Sequence, residues 1–340
     1  MGEPADDDRG SASLHKRLDR LTGAWIAVSP ARNTRPNASL GAAPSGCPFC
    51  PGGPEVPFSY EAAVFENRFP SLVAEPPAVP DDPRVSPSLG RCEVILYTER
   101  HVGSLATLGP PELARLLAIW RDRSAELWAD QRHRFVMVFE NRGEAVGATI
   151  SHPHGQAYAF DHVPPLIVGR VETLRSHREG TGRCLSCEVV ADDLGDPARA
   201  VMTSEPFTVA VPFAARFPFE VHVRAKRHGV ARLADLDDRE LPALAAALRE
   251  VVLRYDVLFG FELPYMMAIL EAPPESPDWH LSVEFTPLHR TAQLTKIRAS
   301  VETATGLFIN DTLAEASAAR LREPRIELRV EVPVPDVQPH

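Results

Sequence analysis

Residues Ile150–Phe160 read I-S-H-P-H-G-Q-A-Y-A-F, with two histidines flanking a proline on an apparently extended segment. A shorter stretch, Asp278–Ser282, reads D-W-H-L-S. The two stand in matching contexts. Cys47-Pro-Phe-Cys50 is followed after 51 residues by His101 in E-R-H-V, and after 51 more by His152. Cys184-Leu-Ser-Cys187 is followed after 41 residues by His228 in K-R-H-G, and after 52 more by His280. Each half therefore carries C-x-x-C, then R-H, then a further histidine in the same order.

The intervening residues match in kind. E-V-I-L-Y-T-E-R-H and F-E-V-H-V-R-A-K-R-H are alternating, strand-like runs ending in a basic residue and histidine. Amphipathic helices are predicted next, over P-P-E-L-A-R-L-L-A-I-W-R-D-R-S-A-E-L-W and D-R-E-L-P-A-L-A-A-A-L-R-E-V-V-L-R-Y. Another strand follows in each half, H-R-F-V-M-V-F-E-N and P-Y-M-M-A-I-L-E, and the last histidine opens the next one. The pattern is an internal duplication of one α+β unit of roughly 140 residues. The expected fold is α+β: antiparallel sheets flanked by helices, with the two units fused in one chain. The expected divisions are a disordered tail over 1–14, a first half over 15–175, a second half over 176–325 and a tail over 326–340.

Two cysteines and two histidines per half form the ligand set of a structural zinc site. Cys47, Cys50, His101 and His152 are the first expected set; Cys184, Cys187, His228 and His280 are the second. Four protein ligands leave no open position, so the metal should pin loops together and not activate water. Cys92, in C-E-V-I-L-Y, is expected to be a buried, inert thiol.

The chain has 340 residues and a formal net charge of −10. That length supports a large core, and that charge argues against nonspecific nucleic-acid or anionic-membrane binding. No run reaches the roughly 20 apolar residues of a membrane helix, and the N-terminus has no apolar signal core. A cytoplasmic protein is the expectation, and no organic cofactor is expected.

The halves diverge where chemistry would sit. His152-Pro153-His154 in the first half corresponds to His280-Leu281-Ser282 in the second. A scaffolding metal needs only the first histidine, so His154 is the candidate nucleophile. Residues two apart in a strand share a face, which holds His154 near the metal-anchored point. Neutral imidazole can attack phosphorus and leave again through a covalent intermediate. Gly155 would let backbone approach a phosphate, and Gln156 would offer an uncharged donor to a phosphoryl oxygen.

With H-P-H-G-Q on the page, the chain resembles the galactose-1-phosphate uridylyltransferases, a branch of the histidine-triad superfamily. L-T-G-A-W-I-A-V-S-P-A-R-N-T-R-P, C-P-F-C, F-E-N-R-F-P, F-E-N-R-G and H-P-H-G-Q-A-Y-A match in order, and K-I-R-A-S-V-E-T-A-T-G-L-F-I-N-D matches more loosely. The resemblance runs from about residue 15 to about residue 322 and implies duplicated histidine-triad-like units. It also implies ping-pong transfer of UMP from UDP-glucose to galactose 1-phosphate through a uridylyl-His154, with Gln156 on the transferred phosphoryl group. It assigns Arg32 and Arg35 to the nucleotide or its phosphates, a role that suits paired guanidinium groups. Phe49, Asn67 and Phe69 would line the uridine pocket. Asn141 would meet the phosphates or support the nucleophile, and Lys296 and Glu302 would contact the hexose. A homodimer whose active site is completed by the partner chain is implied.

Departures bear on the substrate. A second metal site, usually iron, which some bacterial members carry, maps near Arg170, Leu270, Ser282 and Glu284 and is not expected here. The second Cys/His set resembles two-zinc members, including a plant enzyme acting on ADP-glucose and phosphate. Ala299-Ser300-Val301-Glu302 replaces a smaller glycine-containing segment. The competing reading within this chemistry is a nucleotidyltransferase with another base, sugar or acceptor, such as an ADP-sugar phosphorylase. A zinc-ribbon binding module and a redox role for the cysteines are weaker. The first lacks a basic, aromatic-rich stripe, and the second leaves the ordered histidines unexplained.

Overall fold

The computed structural model describes residues 14–34 and 46–323. The expected terminal tails, 1–14 and 326–340, lie outside these residues apart from Leu14. A small antiparallel sheet joins β1 (His15–Leu18), β2 (Trp25–Val28) and β4 (Val85–Pro87) in the order β2-β1-β4. It is tied to the main body by Lys16, whose ammonium lies 2.6 Å from Asp161.

The main sheet is one continuous antiparallel array. The first half contributes β3 (Ala63–Glu66), β5 (Gly90–Leu96), β6 (Phe135–Arg142) and β7 (His154–Phe160). The second contributes β8 (Ala200–Thr203), β9 (Phe207–Ala210), β10 (Val221–Ala225), β11 (Tyr265–Leu270) and β12 (Ser282–Pro287). Their spatial order is β3-β5-β7-β6-β11-β12-β10-β9-β8. The halves thus meet edge to edge at β6 and β11, with Phe139 facing Ala268. Antiparallel pairing of corresponding strands is what an approximate two-fold axis through the seam requires, and it leaves neither unit a free inner edge.

The two expected helices form. α1 (Pro110–Ala129) starts with prolines in its first turn, where missing N–H groups cost nothing, and Glu112 accepts from the Gly109 N–H at 2.8 Å. Its buried face, Leu113, Leu116, Leu117, Trp120, Ser124 and Leu127, follows helical spacing. Its counterpart α4 (Glu240–Leu258) buries Leu244, Leu248, Val251, Val252 and Tyr255. α1 and α4 pack together over one face of the sheet, against Val138, Ala157, Ile269, Val283 and Phe285. None of the helices among the described residues is long and apolar enough to cross a membrane.

The opposite face is treated differently in the two halves. Over the second half lie α2 (Pro165–Thr181) and α3 (Leu185–Gly195); Leu174 of α2 joins Leu270 and Trp279 in a second apolar cluster. Over the first half, among the described residues, the loop that carries Cys47 and Cys50 packs through Phe49, Val56 and Tyr60 on Val94 and Leu96, while Phe135 joins the α2 cluster. Among the described residues, a cleft lies beside His154 on that face. Helix α2 runs through residue 175 and packs on second-half residues, with Arg170 pairing to Glu284 at 2.7 Å. α5 (Ser300–Thr305) and α6 (Ala314–Arg322) follow the last strand.

Because the sheet crosses the seam unbroken, the halves should unfold together. Ile269→Ala, at a fully buried seam position, is expected to cost about 2–4 kcal/mol. Denaturant unfolding followed by circular dichroism and tryptophan fluorescence should shift as one transition; two separated transitions would contradict a shared core.

Candidate active site

The chain positions its first Cys/His group through a turn and two strand ends. Cys47 and Cys50 lie on a tight turn that closes on Gly53, whose N–H donates to the Cys50 carbonyl. A Cβ on Gly53 would meet the carbonyls of Cys47, Pro48 and Cys50 at 2.7–2.8 Å, so glycine is needed there. His101 follows β5, and His152 precedes β7. Cys50 Sγ lies 3.4 Å from His101 Nδ1 and 3.7 Å from His152 Nδ1, and Cys47 Sγ lies 3.9 Å from His152 Nδ1. Tetrahedral zinc with Zn–S near 2.3 Å and Zn–N near 2.0 Å separates S and N ligands by about 3.5 Å. The donors therefore already stand at the spacing a tetrahedral ion requires.

The surroundings favour ligation. His152 is 1 % exposed, and its Nε2 lies 2.8 Å from the Thr98 carbonyl and 2.9 Å from the Tyr60 hydroxyl. Donation from Nε2–H to Thr98 leaves Nδ1 as the lone-pair nitrogen facing the thiols. Burial holds the pKa of His152 down to about 4 and so keeps it neutral. Burial, with Cys47 alongside, pushes the Cys50 thiol up to about 11. Thiolates at such a site call for a cation.

The second group repeats the arrangement. Cys184 caps α3, accepting from the Cys187 N–H, and Cys187 Sγ lies 3.5 Å from both His228 Nδ1 and His280 Nε2. His280 Nδ1 lies 2.9 Å from the Ala225 carbonyl, so here the ring presents Nε2. All eight expected ligands thus fall into two four-residue clusters that could each hold a metal ion.

A third group was missed by sequence reasoning: Glu220, His222 and Glu284 converge, all buried. Arg216 donates to Glu220 at 2.8 Å and Glu284 at 3.0 Å, and Arg170 donates to Glu284. Burial opposes ionisation of Glu284, yet His222, Arg170 and Arg216 together hold its pKa well below the usual carboxylate range. Guanidinium groups occupy the positions a cation would take, so this cluster reads as an ion-pair brace. Its one legible signal is F-A-A-R-F-P at 213–218, which echoes F-E-N-R-F-P at 65–70 and places Arg216 opposite Arg68.

On the open face, His154, Gln156 and Tyr158 of β7 alternate with buried Gly155, Ala157 and Ala159. His154 Nδ1 lies 2.7 Å from the His152 carbonyl. Donation there fixes the tautomer and leaves Nε2 unprotonated. Burial lowers the His154 pKa, so the ring is neutral. Phe49 packs edge-on against it, with ring centroids 5.1 Å apart. Gln156 Oε1 accepts from Asn67 Nδ2 at 3.1 Å, and Asn67 Oδ1 accepts from the Phe69 N–H at 2.9 Å. The chain of donors orients the Gln156 amide so that its NH₂ is the end available to an anion. Arg32 donates to the Phe69 carbonyl at 3.0 Å. Asn141 lines the cleft that also contains His154, Gly143 and Thr149.

The structure thus gathers His154, Gln156, Phe49, Asn67, Phe69, Arg32 and Asn141 around one strand end. Arg35 lies outside the described residues. Lys296 and Glu302 are both buried and pair with each other at 2.6 Å, bracing the segment that follows β12; neither lines the His154 cleft. The missing Cβ of Gly155 faces the core, where the Tyr97 hydroxyl already fills the space.

The chain matches known proteins along nearly its whole length. The family model for the galactose-1-phosphate uridyl transferase N-terminal domain matches residues 4–164, and that for the C-terminal domain matches residues 170–333. A galactose-1-phosphate uridylyltransferase of Thermotoga maritima is 39% identical over 323 residues, covering 93% of this chain and all of that protein. One from Haemophilus influenzae is 31% identical, covering 91% of this chain and 93% of its own. A solved uridylyltransferase superposes with a TM-score of 0.81 at 29% identity, over 91% of this chain and 97% of its own. An Arabidopsis thaliana ADP-glucose phosphorylase with bound ADP-glucose gives 0.70 at 26% identity, over 92% and 99%. With both halves of the family pattern spanning nearly the whole sequence, this chain belongs to the galactose-1-phosphate uridyl transferase family.

Proposed function

We propose that the protein is a UDP-glucose–hexose-1-phosphate uridylyltransferase that moves UMP from UDP-glucose to galactose 1-phosphate. The observation that carries this reading is the His154 tautomer: Nδ1–H is spent on the His152 carbonyl, so Nε2 holds a free lone pair beside an open cleft. That lone pair attacks the α-phosphorus. A P–N bond forms as the P–O bond to the hexose phosphate breaks, and hexose 1-phosphate leaves with the electron pair. A phosphate oxygen of the second sugar phosphate then attacks phosphorus and the P–N bond breaks, restoring the imidazole. Gln156, held by Asn67, donates to the phosphoryl oxygens where charge accumulates. Arg32 and Arg35 serve the nucleotide phosphates, Phe49, Asn67 and Phe69 the uridine, and Asn141 the phosphates beside the nucleophile.

Both Cys/His clusters fit zinc by donor set and spacing, and the role we assign to the metal is structural. With four protein ligands it holds the loop of Cys50 and the start of β7 in place and leaves His154 to do the chemistry. Free cysteines kept for metal suit the reducing cytoplasm. We assign hexose contact to the arm braced by Lys296 and Glu302, completed in a homodimer. Support comes from the exposed apolar residues gathered on that arm: Leu294, Ile297, Val301, Leu307 and Ile309.

Incubation with UDP-glucose should add the mass of one UMP to the intact protein, and galactose 1-phosphate should discharge it. His154→Ala should abolish the adduct and lower turnover by at least about a thousandfold; normal labelling of that variant would remove the nucleophile assignment. A panel including ADP-glucose and inorganic phosphate names the substrate, since an AMP adduct discharged by phosphate would favour the phosphorylase reading. Metal analysis should find two zinc ions per chain, and chelation should lower the melting temperature together with activity. Sedimentation should give a dimer, and Ile297→Asp should give monomers with impaired transfer; a fully active monomer would contradict the shared site.

A further inference from the structure

The strand carrying the nucleophile is weakly held where it matters. β7 pairs with β5 along its whole length, from Gly90↔Phe160 to Leu96↔His154. Its pairing with β6 stops at Phe139↔Gln156. Gly155 and His154 therefore have a strand neighbour on one side only, which is what opens the cleft. Support from below comes from Tyr97. The Tyr97 N–H donates to the Pro153 carbonyl at 3.1 Å. The Tyr97 hydroxyl rises under Gly155, in the space a Cβ would need. That hydroxyl donates to Glu140 Oε2 at 3.0 Å, and Tyr265, reaching across the seam from β11, donates to Glu140 Oε1 at 2.9 Å. Tyr97, Glu140 and Tyr265 are 2 %, 4 % and 0 % exposed.

A carboxyl group buried this deeply is costly unless hydrogen bonds satisfy it, and here two tyrosine hydroxyls do. Burial pushes Glu140 up to about 7, against the opposing pull of the two tyrosines and Arg142. The twin half makes the comparison internal. Ala225 holds the position of Tyr97, since its N–H donates to the Leu281 carbonyl just as Tyr97 does to Pro153. Val283 holds the position of Gly155, one residue beyond Ser282. The large-under-small pair of the first half is thus small-under-large in the second, and the exchange accompanies the loss of the nucleophilic histidine.

We propose that Tyr97 and Glu140 are positioning residues for catalysis: the carboxyl-anchored Tyr97 hydroxyl sets the height of the Gly155 backbone, and with it the aim of His154 and Gln156 on the opposite face. This inference rests on His154 being the nucleophile. A displacement of about 1 Å in a reacting group can cost on the order of a hundredfold in rate, so the network should act on turnover and not on substrate affinity.

The test is steady-state uridylyl transfer by the full-length, metal-loaded protein, with thermal melting measured alongside. Tyr97→Phe and Glu140→Leu should each lower kcat by about 10- to 100-fold, with KM within about twofold of the parent. Glu140→Gln, which can still accept from one tyrosine, should recover most of the loss. Gly155→Ala should be severely impaired, and adding Tyr97→Phe should partly rescue it. Removing the hydroxyl frees the overlapped space, leaving the new Cβ at 3.2 Å from the ring Cζ and 3.0 Å from the Phe139 carbonyl. Glu271→Leu is the matched control. Glu271 is also buried, just beyond the end of the adjacent strand β11, but it bonds Ser124, Trp128 and the Leu233 N–H. It should lower the melting temperature as Glu140→Leu does while kcat stays near the parent value. Parent-like kcat in folded Tyr97→Phe, or a double variant no better than Gly155→Ala, overturns the proposal. Should Glu140→Leu fail to fold, the Tyr97/Gly155 pair decides alone. Retained labelling in His154→Ala would instead overturn the transferase reading beneath it.

Discussion

Everything at the candidate site hangs from the imidazole of His152. One ring nitrogen faces two thiols and the other meets a main-chain carbonyl, so the ring is held at both ends in a buried place. Its own carbonyl then takes the Nδ1 proton of His154. A single residue therefore fixes the start of the strand, the tautomer of the next histidine and the direction in which that histidine can react. The proline between them stiffens the link. Chemistry at phosphorus needs little more from the protein than this aim, together with uncharged donors for the phosphoryl oxygens.

The second half shows what the same frame becomes without that demand. Ser282 and Glu284 stand where the first half has His154 and Gln156, and α2 and α3 lie over them. The cavity that remains, about 210 Å³, is lined by Arg170, His222, Arg224 and Glu284 together with apolar groups. Charge is neutralised internally there: Arg224 pairs with Asp193, and Arg170 and Arg216 with Glu284. Among the described residues the first half has a cleft beside His154, whereas helices pack over the equivalent position of the second half.

Much of this was legible in the sequence because the strongest signals are local and repeated. Order and spacing of Cys, Cys, His and His in both halves foretold two four-residue clusters, and helical spacing foretold α1 and α4. The contrast of His154 with Ser282 marked the half proposed to carry the chemistry. What the sequence hid depends on pairing across the sheet. Nothing local says that β6 and β11 join into one array, nor that α2 crosses over to the second half. Tyr97 looked like one more apolar strand residue, and Gly155 like a phosphate contact. Only the register, which stacks a tyrosine hydroxyl under a missing Cβ, reveals why glycine is required. Lys296 and Glu302 illustrate the same limit: a motif supplies a position, whereas their direct ion pair emerges from a fold in which both are buried.

The seam between β6 and β11 has a further consequence. Two identical units meeting across a two-fold axis must carry the same side chain at both related positions, so any gain on one face is forced upon the other. Joining them in one polypeptide lifts that constraint. Glycine can sit in the His154 strand while valine fills the related position, and helices can cover one site while a cleft lies at the other. Covalent linkage thus lets a symmetric scaffold specialise, with the second half continuing the sheet on which the His154 half is built.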